Sequence, residues 1–350
     1  MIYKENWEKA KERMNAWWNC EIIDRPCIQV TAPKAGKQVE IPDTEDLNKF
    51  WTDVNFVLDR VEKIINSTFY GGEAFPVYFP NLGPDIFSAY IGAQLTFAKE
   101  TTWVTPIIKD WDNKPELRFD RNNKWWELTV KLTEEAIKRS NNKFFVGLTD
   151  IHSGMDAVSA LRGPENLCMD LIYFPDEVKR VMKFMESMWL EIYEGLYNII
   201  QKGMKGSTTW LSVWSPGRYY PVSCDFSCMI SNEMFRDFVL PELLTEINHL
   251  DHSLYHLDGP GAIRHLETLF DIPKLNGIQW VPGEGSGPMI QWVPLLKKIQ
   301  NDGKILHISV ESDEVIPILK ELSPKGLMIS TWTDTEENAK ALISSLYKFV

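Results

Sequence analysis

The 350-residue chain is 44% hydrophobic and 25% charged, a composition that can fill a large folded core. Its formal charge of −12 comes without any run of Lys or Arg, which argues against nucleic acid as a partner. No stretch approaches the roughly 20 apolar residues that a membrane span needs, and the five cysteines (20, 27, 168, 224 and 228) are scattered without a C-x-x-C pair. A cytoplasmic, reducing location is therefore expected, with no membrane partner.

The opening segment MIYKENWEKAKERMNAWW is charged and patterned as an amphipathic helix, and residues 1–24 are expected to form a helical extension. Short apolar runs then alternate with helical periodicity. The expected strands are RPCIQVTA (25–32), EAFPVYF (73–79), KFFVGLTD (143–150) and STTWLSVW (207–214), followed by SLYHLDG (253–259), NGIQWVPG (276–283), KILHISV (304–310) and GLMISTW (326–332). Helices are expected over 124–140, 176–203, 232–250 and 293–300, and in a last helix that Asp334 and Glu337 would open as a capping box.

Eight strands alternating with helices predict a parallel sheet closed as a (β/α)8 TIM barrel, one unit spanning residues 1–350. An open doubly wound sheet is the alternative, but no G-x-G-x-x-G follows the first strand. Alternation along the strands places Ile305, His307, Ser309 and Glu311 on one face, inward, and Leu254, His256 and Asp258 likewise. In 207–214 the same rule groups Thr208, Trp210, Ser212 and Trp214.

Polar residues toward the C-terminal ends of barrel strands point to an active site at that mouth. His256 and Asp258, two apart on a strand and followed by Gly259-Pro260-Gly261, suit a metal pair or a general acid with an orienting carboxylate. The plainer possibility is an interior histidine beside a turn-capping aspartate. Glu311 is a candidate third ligand or base, and His307 a candidate proton handler. The segment 215–229 looks like a long functional loop offering Tyr219, Tyr220, Cys224 and Asp225. Trp210, Trp214, Trp280 and Trp332, with those tyrosines, would line an aromatic pocket able to hold a methylated ammonium group or a flat ring. Asp150, His152 and Asp156 follow the third strand as a weaker D-x-H pattern.

The segments DRPCIQVTAP, CDFSCMISNEMFRDFVLPEL, HLDGPG and LNGIQW resemble the uroporphyrinogen decarboxylase superfamily across nearly the whole chain. The resemblance implies a (β/α)8 barrel with a helical N-terminal extension, and either a tetrapyrrole decarboxylase or a cobamide-dependent methyltransferase. The decarboxylase carries an R-Q-A-G-R segment after its first strand. This chain has Thr31-Ala-Pro-Lys-Ala-Gly36 there, with one basic residue.

The methyltransferase branch implies zinc held by a His-x-Cys pair and a cysteine near the last strand. His256 matches the histidine, Asp258 replaces the first cysteine, and Ile329-Ser330-Thr331 contains no second one. An oxygen-rich set of His256, Asp258 and Glu311 would hold zinc more weakly and tolerate other metals. With no D-x-H-x-x-G motif in the chain, the cobamide is expected on a separate corrinoid protein. The expected activity is methyl transfer between a small methylated donor, of methylamine or methyl ether type, and that cobamide. A decarboxylase-like lyase and a non-catalytic barrel that binds a small ligand or a corrinoid partner are the alternatives.

Overall fold

The computed structural model describes residues 1–37 and 39–349. Eleven strands occur among them: β1 (Cys27–Pro33), β2 (Thr68–Gly72), β3 (Val77–Tyr78), β4 (Leu95–Phe97), β5 (Thr102–Val104), β6 (Phe145–Val146), β7 (Tyr219–Ser223), β8 (His252–Asp258), β9 (Gly277–Val281), β10 (Ile305–Ser309) and β11 (Leu327–Trp332). Seven form one sheet in the order β2-β1-β11-β10-β9-β8-β7. All its pairings are parallel except that of β2, which runs antiparallel to β1. β3 and β6 make a short parallel pair, and β4 and β5 an antiparallel hairpin.

One face of this sheet packs against helices. Val30, Ile278, Leu306, Ile308 and Ile329 are fully buried there, and their β-branched or leucine side chains fill the layer between strand and helix. The opposite face buries Cys27, Leu254, Ile305 and Met328 at the N-terminal end of the strands, together with Trp7, Trp17 and Trp18. Those three tryptophans come from the helix Trp7–Trp18, which stoppers that end. Trp17 Nε1 donates to Gly326 O at 3.0 Å and Trp18 Nε1 to Trp214 O at 2.9 Å, so the burial leaves neither indole N–H unsatisfied. Each such ring contributes on the order of 3 kcal/mol of transfer free energy.

A buried ion cluster fastens the same helix to the sheet. Glu73, fully buried, accepts from Arg25 Nη1 and Nη2 at 2.7 Å each, from Arg13 Nη1 at 3.3 Å and from the Ile28 N–H at 2.9 Å. With so many donors the carboxylate is compensated, as a buried charge must be.

Several expectations about elements need correction, among them strand β2, which lies outside the expected strands and runs antiparallel. Segment 207–214 is no strand: Ser207 and Ser215 form an isolated antiparallel bridge, and Ser212 between them has φ 55°. The alternation there serves a bent loop with apolar groups on both sides. The strand lies in the stretch expected to be a loop, as β7, where Pro221 is accommodated because β7 is the last strand of the sheet.

Helices occupy Lys124–Ser140, Pro175–Ile200, Val293–Asn301 and Glu336–Ser345, close to the expected bounds. Residues 232–249 are helical with a π-turn at Phe235–Val239. The last helix is capped by Thr335 rather than Asp334, since Thr335 Oγ1 accepts from Asn338 N at 3.1 Å. All five cysteines are free. Among the described residues no helix is long and apolar enough to cross a membrane.

Candidate metal centre

The strands deliver a row of polar side chains above the apolar layer. Register pairs Gln29 with Ser330, His307 with Gln279, and Gln279 with His256, so β1, β11, β10, β9 and β8 each contribute one. Gln29 Nε2 donates to Ser212 O at 2.7 Å, and Ser330 Oγ donates to Gln29 Oε1 at 2.9 Å. The serine hydrogen being spent, the 2.9 Å contact of Ser330 Oγ with His307 Nε2 requires the histidine to donate. His307 is thus a neutral tautomer with a bare Nδ1. Burial, and then the neighbouring His256, push its pKa down to about 3.

On β8 the tautomer is the opposite one. His256 Nδ1 lies 2.6 Å from Gln279 Oε1, an acceptor, so Nδ1 carries the hydrogen and Nε2 presents its lone pair. Around His256 the ligand atoms of Asp225 and Asp258 all fall within 4.8 Å of one another. Asp258 is two residues on along the same strand face. Asp225 opens the 3-10 turn Asp225–Met229 that follows β7, and this turn is held by Asp156, whose carboxylate accepts from Asp225 N at 3.0 Å and Phe226 N at 2.8 Å. Partial burial, and then the Asp225 charge, raise the Asp258 pKa against the opposing pull of His256. Two crowded carboxylates of this kind are relieved by a cation.

Beside this group lies a pocket of about 460 Å³ whose walls include Asp85, His152, Asp156, Asp225 and Met229, with no Lys or Arg among the described residues that line it. Burial disfavours a charge on His152, but Asp150, Asp225, Asp156 and Asp85 outweigh it and raise its pKa. Asp150 is fixed by Tyr220, whose hydroxyl donates to Asp150 Oδ1 at 3.1 Å while accepting from Ile151 N at 2.7 Å. Trp210 stands edge-on to both rings, 5.3 Å from His256 and 6.3 Å from His152 between centroids.

Beneath the pocket, Ser153 Oγ lies 2.5 Å from Glu242 Oε1 and 3.0 Å from Glu246 Oε1. One hydroxyl hydrogen can serve one of these contacts, so at least one carboxyl is protonated. Burial is the main cause that raises both, Glu242 to about 8.

Several expected site residues lie elsewhere. Trp214 is buried at the opposite end of the strands, its ring 5.8 Å from Trp7. Tyr219, at the start of β7, packs on Trp18 at that same end. Trp280 faces the helical layer against Trp292, because its neighbour Gln279 takes the polar face. Glu311 is exposed after β10 and is not one of the three grouped ligands. Trp332 is 53% exposed at the end of β11. Tyr220 supports Asp150 from a buried position. Cys224 is buried and its thiol pKa is driven well up, first by desolvation, so it is no ready thiolate.

Gln29, Gln279 and Ser330 are not among the residues that the sequence motifs single out. The signal was a Gln flanked by apolar residues in two strands, Cys27-Ile-Gln-Val30 and Gly277-Ile-Gln-Trp280. One imidazole nitrogen with two carboxylates fits a hard or borderline divalent cation, and the cysteine-rich zinc set implied by the resemblance does not form.

No family model matches the chain, and no curated protein matches it in sequence. Among solved structures it is similar to a methyltransferase from Methanosarcina mazei, over 97% of this chain and 98% of that one, with a TM-score of 0.61 and 14% identity. At this identity the likeness establishes a shared mixed α/β fold.

Proposed function

We propose that this protein is a methyltransferase that moves a methyl group between a small methylated donor and a cobamide carried by a separate corrinoid protein. The observation that carries the proposal is the convergence of Asp225, His256 and Asp258 at the C-terminal ends of the strands, next to the pocket lined by Asp85, His152 and Asp156. The fold shared with a methyltransferase supports it.

The same reading takes the sheet as a closed barrel. Support comes from Gly147 N donating to Tyr78 O and Leu148 N to Thr208 O, which carry backbone pairing across β3, β6 and the 207–209 segment.

His256 Nε2, Asp225 and Asp258 would hold a divalent cation. Such an ion polarises the heteroatom bearing the methyl group. Gln279 keeps the His256 lone pair aimed at the site, and Trp210 covers the imidazole edge against water. His152, whose pKa is raised by its carboxylate neighbours against the cost of burial, is placed to return a proton to an ether donor's departing oxygen. The acidic lining disfavours a polycarboxylated substrate and with it a tetrapyrrole decarboxylase.

The test is incubation of the metal-loaded protein with reduced cobalamin and a panel of methylamines, quaternary methylammonium salts and methyl ethers. Methylcobalamin absorbance is expected with at least one donor and is lost in His256→Ala. No methylcobalamin across the panel would overturn the activity.

A further inference from the structure

Away from the metal group, a cavity of about 680 Å³ opens between the N-terminal residues Ile2–Asn6, strand β2 and the helix Glu336–Ser345. Its walls carry Lys4, Lys9, Arg13, Arg25, Lys34 and Lys340 against only Glu5 and Glu336. That excess is notable in a chain of net charge −12.

Most of these cations have counter-ions. Arg13 is bound to Asp24 and Glu73, Arg25 to Glu73, Lys340 to Glu336 at 2.6 Å and Lys9 to Glu12 at 3.3 Å. Lys4 and Lys34 have no carboxylate within 4.0 Å among the described residues. Lys4 is only 3% exposed, and its ammonium donates to two neutral carbonyls, Tyr70 O at 2.9 Å and Gly72 O at 2.6 Å. An ammonium has three hydrogens, so one remains uncommitted. Arg25 Nε, also on the cavity wall, is buried with no hydrogen-bond partner among the described residues.

A buried ammonium without a counter-ion costs several kcal/mol, and proteins rarely leave one so. Here the missing negative charge has a place to sit. Lys34 lies over the Tyr3 ring at 5.9 Å and Lys340 over the Phe69 ring at 5.4 Å, so lysines and aromatic faces alternate around the rim. The volume is that of a small-molecule site, and lysines are point-charge donors suited to phosphate oxygens.

We propose that this cavity binds a small phosphorylated ligand, with its phosphate seated by Lys4, Lys34 and Lys340 and its organic part against Tyr3 and Phe69. The site shares no wall residue with the metal group and does not depend on the methyltransferase reading. Because it bridges the N-terminal segment and the last long helix, its occupancy stabilises the native fold by mass action.

Calorimetric titration of the whole protein at low salt, with pyrophosphate and ribose 5-phosphate as probes and citrate as a carboxylate control, tests this. Saturable binding of at least one phosphate is expected, at least ten-fold weaker in the rim variant Lys34→Ala/Lys340→Ala and lost in Lys4→Met. Burial, partly opposed by Glu73, lowers the Lys4 pKa to about 8. Binding near pH 8 should therefore take up a fraction of a proton, measured by repeating the titration in buffers of different ionisation enthalpy. The proposal is overturned by absence of saturable phosphate binding, by undiminished affinity in the rim variant, or by citrate binding as tightly as the phosphates. If Lys4→Met does not fold, the rim variant decides alone.

Discussion

His256 gives its Nδ1 hydrogen to the side-chain oxygen of Gln279 across 2.6 Å, and that one bond decides which edge of the imidazole faces the carboxylates. In Gln279→Leu the acceptor is gone while the volume is nearly kept, so the ring is free to take either tautomer and to turn. Second partners of this kind are worth about 10–100-fold in metal affinity. Competition against a chromogenic chelator should show zinc or cobalt binding weakened by that factor. Unchanged affinity would remove His256 Nε2 from the ligand set.

The Ser153, Glu242 and Glu246 cluster makes stability depend on pH. Folded Glu242 keeps its proton up to about 8, while the unfolded chain releases it near 4.5. Between those values the native state binds more protons, so raising the pH lowers stability. Glu242→Gln keeps the acceptor for Ser153 and has no charge to bury. Urea unfolding should find it more stable than the parent at pH 8, by on the order of 1 kcal/mol or more, with the difference shrinking toward pH 5. An equal difference at both pH values would contradict the protonated cluster.

Gly154 starts the helix Gly154–Arg162 with φ 58°, and a Cβ there would overlap the Glu242 carboxyl. Gly154→Ala meets both a left-handed backbone and a steric clash at once. A loss of about 2–4 kcal/mol is expected by denaturant titration. The turn at Asp225 should loosen with it, because Asp156 two residues on holds that turn.

Two tryptophans expected in one pocket should behave differently. Trp214 is buried at the stoppered end, and Trp214→Ala should cost about 3–5 kcal/mol through the cavity it leaves. Trp332 is exposed, and Trp332→Ala should change stability by no more than about 0.5 kcal/mol. Thermal denaturation of the two variants side by side measures both.

Where strands alternate cleanly, sequence and structure agree. The faces of KILHISV and SLYHLD follow period two, and His256 and Asp258 stand out because polar residues interrupt apolar runs, whereas Asp225 is offered only as part of a supposed loop and Glu311 takes its place as the expected third ligand. Segment 207–214 misled because a loop packed on both sides also alternates, and only the φ of Ser212 reveals the bend. β7 was hidden by Pro221, which is tolerated only because of the strand's place in the sheet. Residue type alone suggests the mouth for Trp280, although the parity of Gln279 sends it outward. Which carboxylates gather around which histidine depends on turns joining distant segments, such as the Asp156 bond to Asp225, and spacing along the chain cannot carry that.

The pairing of β1 with β11 brings Cys27 beside Met328, and Arg13 Nη2 reaches Tyr347 Oη at 3.4 Å. During synthesis, one side of β1 must therefore wait for about three hundred further residues before its edge is covered. The nascent chain exposes an unpaired strand through most of its translation, a hazard for edge-to-edge association. Antiparallel β2, only a few dozen residues downstream, covers the other side of β1 early, and the helix Trp7–Trp18 is already made to shield its N-terminal end. Ribosome-bound intermediates stalled before residue 327 should depend on chaperones far more than the released chain does.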